Sequence, residues 1–355
     1  MIEPGATIGI LGGGQLGRMT ALAAASLGYR CHVFAPEPDG PAKQVTAYAT
    51  TAAYDDAASL KRFAAAVDIV TYEFENVPVA AANLVAGLKP LKPGLAALEI
   101  AQDRLKEKDY LRGIGVATAD YRPVAGADAL QRALAEIGGR GILKTVRLGY
   151  DGKGQVAVEP GADAAASWRQ LGVTQAVLEA RVDFACELSV IVARGAGGAV
   201  AAYPPVENRH VNGILDTTVA PARVPAEISR EADRIARHVA AKLDLTGLLA
   251  VEMFVTKDGK VLVNELAPRP HNSGHWTIDA CVTSQFEQLV RAICGLPLGS
   301  TERHANAVMK NLIGDEVNLW RDAVADPASR VHLYGKGAPV PGRKMGHVTR
   351  LLPKS

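Results

Sequence analysis

Two glutamates in neighbouring apolar segments carry the clearest chemical signal in the sequence. Glu252 lies in the strand-like run Leu248–Val255, and Glu265 lies in the run Lys260–Leu266. Asp258-Gly259 between the runs favours a two-residue type I′ turn, whose register sets the carboxylates opposite each other with Cβ atoms roughly 5 Å apart. A divalent cation bound by both would remove their repulsion, and Mg²⁺ prefers oxygen ligands together with substrate phosphates. The pair therefore predicts a magnesium site; the alternative is two solvated glutamates on an open sheet face.

The loop after the second glutamate contains further reactive side chains. Ala267–His275 combines glycine and prolines with one arginine and two histidines. Since the loop leaves a strand that carries the cation, we predict that Arg269, His271 and Asn272 reach the group on the phosphates. The alternative is that Arg269 pairs with a carboxylate and His271 packs against Trp276.

A second candidate is the glycine-rich segment Gly149–Gln155, which lies between two strand patterns, with Lys144 five residues before it. It is not a Walker A loop, because Lys153 is followed by glycine. Such a hairpin tip can close over phosphates with its amides while a strand lysine neutralises their charge. The alternative is an ordinary glycine-rich turn.

A third candidate is the early cluster Gly12-Gly13-Gly14-Gln15-Leu16-Gly17, which formally matches the dinucleotide fingerprint GxGxxG. A dinucleotide site also needs an acid at the end of the second strand, and Ala35 stands there, with Glu37 beyond a proline. Three interpretations stay open: NAD binding, a tight structural turn, or an anion or polar ligand at a helix N-terminus.

The elements that position these residues change along the chain. The first hundred residues alternate strands and helices, which predicts a parallel, helix-covered sheet. Strand and hairpin patterns then dominate, with one long helix near Ser229–Leu243. The final stretch, Arg330–Ser355, contains six basic residues, no acid, and several glycines and prolines, which predicts a small loop-rich β subdomain.

Composition excludes several classes of protein. Lys+Arg 39 against Asp+Glu 37 gives a net charge of +2, so there is no global case for nucleic-acid or membrane binding. Hydrophobic residues are 48% of the chain, enough for a sizeable core. No apolar run predicts a transmembrane helix, and the N-terminus does not read as a signal peptide. The four cysteines have no CxxC spacing, which favours reduced thiols in a cytoplasmic protein.

Taken in order, these features resemble the ATP-grasp superfamily and, within it, the 5-(carboxyamino)imidazole ribonucleotide synthases. The resemblance spans essentially the whole chain, and its most specific part is the motif at 264–277. The motifs that carry it are ILGGGQLGRM at 10–19, YEFENVP at 72–78, QDRLKEK at 102–108, GYDGKGQ at 149–155, NELAPRPHNSGHWT at 264–277, and YGK and GRKMGH near the end.

The resemblance implies a mixed α/β and α+β chain with an ATP-grasp fold. We expect a Rossmann-like N-terminal domain over residues 1–98 that binds no dinucleotide, an ATP-grasp domain over 99–298 and a basic C-terminal β subdomain over 299–355. It also suggests a homodimer through the first or central domain.

The resemblance places ATP between two antiparallel sheets of the central domain. Arg104 and Lys144 would contact the phosphates under the glycine-rich lid, and Glu179–Val182 would read adenine with backbone groups. Glu187 would hold the ribose, and His210 would approach the nucleotide. The residues expected at ATP and Mg²⁺ are Arg104, Lys144, Gly149, Tyr150, Asp151, Gly152, Lys153, Gly154, Gln155, Glu179, Ala180, Arg181, Val182, Glu187, His210, Glu252, Asn264 and Glu265.

The implied reaction is the ATP- and bicarbonate-dependent carboxylation of 5-aminoimidazole ribonucleotide through carboxyphosphate. Arg269 would hold bicarbonate through its planar fork, and His271 would move a proton. The residues expected at the ribonucleotide are Gln15, Leu16, Glu73, Asn76 and Asn272, with Lys336, Arg343 and Lys344 at its 5′-phosphate.

Three other functions stay open from the sequence. One is a sibling ATP-grasp ligase that uses formate or another acid, such as a formate-dependent transformylase. Another is an NAD-dependent oxidoreductase, which leaves Glu252 and Glu265 unexplained. The third is a nucleic-acid-binding protein that uses the basic tail, which the near-neutral charge disfavours.

Overall fold

The described part of the chain folds into three β-sheets with helices packed against them. The computed structural model describes residues 1–149 and 152–354, and Tyr150, Asp151 and Ser355 lie outside the described residues. The strands are β1 Thr7–Leu11, β2 Arg30–Ala35, β3 Tyr48–Thr51, β4 Ile69–Tyr72, β5 Tyr121–Val124, β6 Gly141–Thr145, β7 Gln155–Val158, β8 Ala176–Ala180, β9 Phe184–Arg194, β10 Val200–Ala202, β11 Val206–Val211, β12 Ile214–Ala220, β13 Gly247–Thr256, β14 Val261–Ala267, β15 Asn306–Ile313, β16 Ser329–Leu333 and β17 Lys344–Leu352.

Helices connect and cover these strands. They are α1 Gln15–Ser26, α2 Ala57–Ala65, α3 Val79–Ala86, α4 Leu95–Ala101, α5 Arg104–Gly113, α6 Ala127–Glu136, α7 Ala164–Leu171, α8 Ala226–Lys242, α9 Thr277–Ala280, α10 Gln285–Cys294 and α11 Trp320–Ala325. Short 3₁₀ helices cover Pro41–Gln44, Asn272–Gly274 and Gly314–Leu319.

The first sheet is parallel, in the order β3-β2-β1-β4. β1 is buried along its whole length, as expected for a central strand of a sheet that is covered on both faces. The sheet confirms the expected Rossmann-like topology at the N-terminus.

Two antiparallel sheets form the rest of the fold. The smaller one runs β5-β8-β6-β7, and the larger one runs β14-β13-β9-β11-β12-β15-β17-β16, with β10 added to β9. Helix α8 packs on β9 and β13 through an apolar stripe that includes Ile235 and Val239, which lie on one helix face. Even this 17-residue helix is too short and polar to span a bilayer, and no other helix in the described ranges qualifies. The mixed α/β architecture confirms the predicted fold class.

The C-terminal strands do not form a sheet of their own. β15 pairs with β12, β17 pairs with β15 and β16 pairs with β17, so the basic tail extends the large sheet. The sequence correctly indicates β structure there, but it does not show which edge the strands join.

The hairpin that carries the two glutamates reaches the predicted register by a different route. Thr256 N–H bonds the Lys260 carbonyl at 2.9 Å, so the loop has three residues and the predicted two-residue turn is wrong. The register then shifts at Asn264, because Met253 faces Val263 whereas Glu252 faces Glu265. This bulge compensates for the longer loop, and the predicted pairing of the carboxylates is confirmed.

The early glycine cluster surrounds a carboxylate of the protein itself. Both oxygens of the buried Glu73 accept backbone N–H groups at the start of α1, from Gly14 and, at 2.6 Å, from Gly17. A Cβ atom at Gly12, Gly14 or Gly17 would lie 2.3, 2.7 or 3.1 Å from Glu73 atoms. The helix N-terminus therefore holds an internal carboxyl group, whose pKa is raised by burial, at the position where a dinucleotide would place its pyrophosphate.

We predict that Gly14→Ala lowers the free energy of unfolding by about 1–3 kcal/mol, the usual cost of overpacking, because its methyl group meets Glu73. Gly94→Ala is the matched control. Gly94 is also an extended helix N-cap, but its Cβ would meet nothing within 4 Å. Urea unfolding of both variants measures the difference, and equal stabilities would contradict the account.

Candidate active site

A cleft of about 730 Å³ lies between the small antiparallel sheet and the large one. It gathers most of the predicted site residues from distant parts of the chain. Those that line it are Gln15, Leu16, Glu73, Asn76, Arg104, Lys144, Gly149, Gly152, Lys153, Gln155, Glu187, His210, Glu252, Asn264, Glu265, Arg269, His271, Asn272 and Lys344.

Other predicted residues lie outside this lining. Among the described residues they are Gly154, Glu179, Ala180, Arg181, Val182, Lys336 and Arg343. Tyr150 and Asp151 of the predicted lid lie outside the described residues.

Each of the paired carboxylates contacts a basic side chain of the chain itself. His271 Nε2 lies 2.8 Å from Glu252 Oε1, and Arg104 lies 3.2 Å from Glu265 Oε2. Burial raises the pKa of Glu252, but His271, with smaller contributions from His210 and Lys344, lowers it to about 2. Glu252 is therefore an anion at neutral pH.

The oxygen atoms around the pair suit Mg²⁺. The Oδ1 atom of Asn264 is buried with no hydrogen-bond partner among the described residues, and Asn264 is the bulge residue beside Glu265. A buried carbonyl oxygen without a partner is costly, and a hard cation would satisfy it. Two carboxylates and an amide oxygen form a donor set that magnesium accepts.

Lys144 does not point free into the cleft. It donates to Glu179 Oε2 at 2.9 Å, and the fully buried Lys108 lies 3.3 Å from the same oxygen. Burial raises the pKa of Glu179, but the two lysines lower it to about 2. Glu179 therefore serves as the buried counter-charge of two lysines, a side-chain role that the sequence did not suggest.

The predicted adenine-reading segment is only partly at an edge. Glu179 pairs with Tyr121 and Ile142, and Ala180 donates its N–H to the Asp120 carbonyl at 2.7 Å. β8 is thus a central strand up to Ala180, and the backbone beyond the ladder belongs to Arg181 and Val182. That Glu179–Val182 reads adenine with backbone groups stays a prediction, and the unpaired backbone available for it begins after Ala180.

Arg269 adopts the contact that was the alternative interpretation. Its guanidinium bonds Glu75 and donates to the Pro270 carbonyl at 3.0 Å. Both members of the Arg269–Glu75 pair are largely buried, so the fork is held rigidly at the cleft. His271 contacts Glu252 and not Trp276, which is buried elsewhere against Tyr203.

The nucleotide side of the cleft contains one further pair. His210 Nδ1 lies 2.8 Å from Glu187 Oε2. Burial lowers the pKa of His210, but the hydrogen bond that His210 donates to Glu187, together with the nearby Glu252, raises it overall. The pair joins β9 and β11 at the predicted ribose position.

The predicted phosphate cations at the C-terminus are close to one another. Lys344 lines the cleft at the start of β17, and Lys336 Nζ donates to the Lys344 carbonyl at 2.7 Å. Asn272, also predicted at the ribonucleotide, exchanges amide hydrogen bonds of 3.0 and 2.6 Å with Asn311. Lys336 thus helps to fix the backbone at Lys344, and Asn311 helps to fix the side chain of Asn272.

Several residues that shape the site were missed by sequence reasoning. Glu75, Glu107 and Lys108 lie inside motifs that we quoted, yet no spacing rule marked them as buried. Glu107 accepts the Leu266 N–H at 2.6 Å, and burial raises its pKa to about 8. Such residues are revealed only by the contacts of the folded chain.

A second titratable cluster lies outside the cleft. Ligand atoms of Asp279, His332 and His347 lie within 4.8 Å of one another. The two imidazole rings are stacked, with centroids 4.5 Å apart and planes at 13°. An ion must lie near the plane of each ring that binds it, so parallel stacked rings do not converge on one cation without rotation.

Comparisons with known proteins match every part of this architecture. Residues 5–102 match the ribonucleotide synthetase preATP-grasp domain, 109–286 the ATP-grasp domain, and 307–355 the phosphoribosylaminoimidazole carboxylase C-terminal domain. The N5-carboxyaminoimidazole ribonucleotide synthase of Brucella melitensis is 48% identical, covering 100% of this chain and 98% of that protein.

Solved structures agree. The synthetase from Thermus thermophilus has 43% identity and a TM-score of 0.91, covering 98% of this chain and 94% of that one. The Aspergillus clavatus synthase in complex with ADP and 5-aminoimidazole ribonucleotide has 33% identity and a TM-score of 0.93, with coverage of 98% and 94%.

We predict that Glu179→Gln lowers the free energy of unfolding by about 3–5 kcal/mol, because two buried lysines lose their counter-charge. Glu231→Gln, which breaks the exposed pair with Arg234, is the control and should cost less than about 1 kcal/mol.

The pH dependence follows from the lowered pKa. The pKa of Glu179 is about 2 in the folded protein, and its ordinary value is 4.5. The ionised carboxylate therefore makes its full contribution to the free energy of unfolding above pH 4.5. That contribution is lost as the pH falls towards 2. Urea unfolding between pH 7 and 2 should show that the difference in free energy of unfolding between wild type and Glu179→Gln becomes smaller as the pH falls. A difference that stays constant or grows would contradict this prediction.

Proposed function

Because the chain belongs to the family of N5-carboxyaminoimidazole ribonucleotide synthases, ATP-dependent ligases of purine biosynthesis, we propose that it uses bicarbonate and magnesium-bound ATP in the cleft between its antiparallel sheets. The observation that carries the proposal is the Glu252–Glu265 pair, which lies in this cleft beside the orphaned amide oxygen of Asn264. When bound there, Mg²⁺ would offset the charge of the ATP phosphates.

The first step forms carboxyphosphate. A bicarbonate oxygen attacks the γ-phosphorus, the bond to the β-phosphate oxygen breaks, and ADP leaves. Arg269 would hold bicarbonate against this highly anionic group, since its guanidinium is fixed by Glu75 and keeps its positive charge. Arg104 and Lys144 line the same cleft and would neutralise the phosphates.

The second step transfers the carboxyl group. The exocyclic amine nitrogen of 5-aminoimidazole ribonucleotide attacks the carbonyl carbon of carboxyphosphate, or CO₂ released from it. The C–O bond to phosphate breaks, and the amine loses one proton. His271 lies in the loop that follows β14, 2.8 Å from Glu252, where it would orient the reacting groups and assist proton movement.

The ribonucleotide would occupy the end of the cleft nearest the first sheet. The Aspergillus clavatus structure holds ADP together with 5-aminoimidazole ribonucleotide, which supports a site for both molecules. We assign Gln15, Leu16, Glu73, Asn76 and Asn272 to the ribonucleotide, with Lys336, Arg343 and Lys344 at its 5′-phosphate. We assign adenine to the backbone of Arg181–Val182, and the ribose to Glu187 and His210.

Other proposals concern the state of the protein. All four cysteines are free thiols, which supports a reducing, cytoplasmic location. The homodimer and the domain bounds 1–98, 99–298 and 299–355 stay predictions from the resemblance.

We predict that ADP release requires ATP, 5-aminoimidazole ribonucleotide and bicarbonate together. A coupled ADP assay in buffer freed of CO₂ measures this requirement, with formate as the competing acid. Turnover sustained by formate would identify a sibling ligase and contradict the bicarbonate assignment.

We also predict that Glu252→Gln and Glu265→Gln each abolish ADP formation while the protein stays folded, because each variant lacks one anionic ligand for the cation. Glu227→Gln, at an exposed position of α8, is the control. Titration with Mg²⁺ in the same assay tests the assignment, and wild-type turnover of either variant at matched Mg²⁺ would refute it.

A further inference from the structure

His271 lies between Glu252 and a continuous line of buried hydrogen bonds. On one side, its Nε2 atom lies 2.8 Å from Glu252. On the other side, Nδ1 lies 2.8 Å from the Ser273 hydroxyl, which lies 2.6 Å from the Ser189 hydroxyl. Asn208 Nδ2 completes the line by donating to Ser189 at 2.9 Å. Ser189 and Ser273 are fully buried and Asn208 is 6% exposed, so the line is shielded from water.

The large sheet builds this line. Ser189 on β9 is the cross-strand partner of Glu252 on β13. Asn208 on β11 faces Thr218 on β12, and Thr218 Oγ1 donates to Asn208 Oδ1 at 2.9 Å. That bond turns the amide so that its NH₂ group faces Ser189. The hydrogen bond from Thr218 therefore determines which atom donates in each later bond of the line.

The directions leave one arrangement for the His271 ring. Asn208 donates to Ser189, so Ser189 donates to Ser273 and Ser273 donates to Nδ1. The Ser273 backbone N–H also points at Nδ1, at 3.3 Å, which requires a lone pair there. Nε2 then carries the proton and donates it to the Glu252 carboxylate.

The backbone of His271 is clamped independently. The fully buried Gln285 amide accepts the His271 N–H at 2.9 Å and donates to the His271 carbonyl at 2.7 Å. A Cβ at Gly274 would lie 2.5 Å from Gln285 Oε1, so the clamp accounts for that glycine. With the backbone fixed, the remaining freedom of His271 is ring orientation and tautomer.

We propose that Ser273, Ser189 and Asn208 are positioning residues that hold His271 in the Nε2–H tautomer aimed at Glu252. The catalytic consequence of this arrangement rests on the proposed function. The arrangement fixes the His271 imidazole beside the carboxylate pair before substrates arrive. Outer-shell partners of this kind typically change metal affinity or activity by 10–100-fold when removed.

The same atoms superficially form a carboxylate–imidazole–hydroxyl triad. The Ser273 side chain has no exposed surface, so no acyl substrate can reach its Oγ atom. Ser273 therefore orients the imidazole and does not act as a nucleophile.

The test is long-range ¹H–¹⁵N NMR of ¹⁵N-histidine protein without ligands at pH 7.5, with the His271 signal assigned from His271→Asn. We expect wild type to show the Nε2–H tautomer, and Ser273→Ala and Ser189→Ala to show mixed tautomers. Both variants should lose about tenfold in kcat, with KM for ATP and the ribonucleotide within about twofold of wild type. Ser167→Ala, a buried serine of α7 that bonds only a helix carbonyl, should match wild type.

A wild-type His271 protonated at Nδ1 overturns the proposal, as do serine variants that keep a pure Nε2–H tautomer and kcat within twofold. The NMR measurement needs no substrate. An Nε2–H tautomer in a protein without bicarbonate-dependent turnover would therefore refute the proposed function and leave the positioning role intact.

Discussion

Two carboxylates face each other across one antiparallel hairpin, and much of the cleft is organised around their repulsion. Glu252 and Glu265 are cross-strand neighbours, a pairing that destabilises a sheet unless positive charge is supplied. Arg104 at the start of α5 supplies part of that charge to Glu265, and His271 in the loop after β14 hydrogen-bonds Glu252. Each carboxylate of the pair therefore has a partner in the ligand-free protein, and the proposed Mg²⁺ would supply further positive charge.

Burial of charge follows the same logic elsewhere in the molecule. Glu75 holds Arg269, and Glu179 balances Lys108 and Lys144. Each pair joins segments distant in sequence, so each also fixes the position of one part of the cleft relative to another. Burying these charges costs desolvation free energy, and the buried pairs lie beside the cleft proposed to bind the substrates.

Sequence reasoning succeeded where local patterns carry the information. Alternation and turn residues located the two strands of the β13–β14 hairpin, and its register paired the two glutamates. That pairing was reached through two compensating differences, a three-residue loop and a bulge at Asn264, which no turn rule anticipates. The glycine fingerprint located a helix N-terminus but could not show that Glu73, some 60 residues away, fills it. Glu107, Lys108 and Gln285 carry no motif signal of their own, because their roles depend on contacts with β8, β14 and the loop after β14.

The way that β15 joins β12 has a consequence for modularity. Three separate domain families match the sequence, yet the third contributes strands to the same hydrogen-bonded sheet as the second. The seam is four Cα pairs, Thr217–Ala220 against Ala307–Lys310, with Lys310 also bonding Asp216. In evolutionary terms, the C-terminal segment cannot be exchanged as an independent module. A chimera must inherit the matching edge of β12 as well, so these two segments are expected to diverge together.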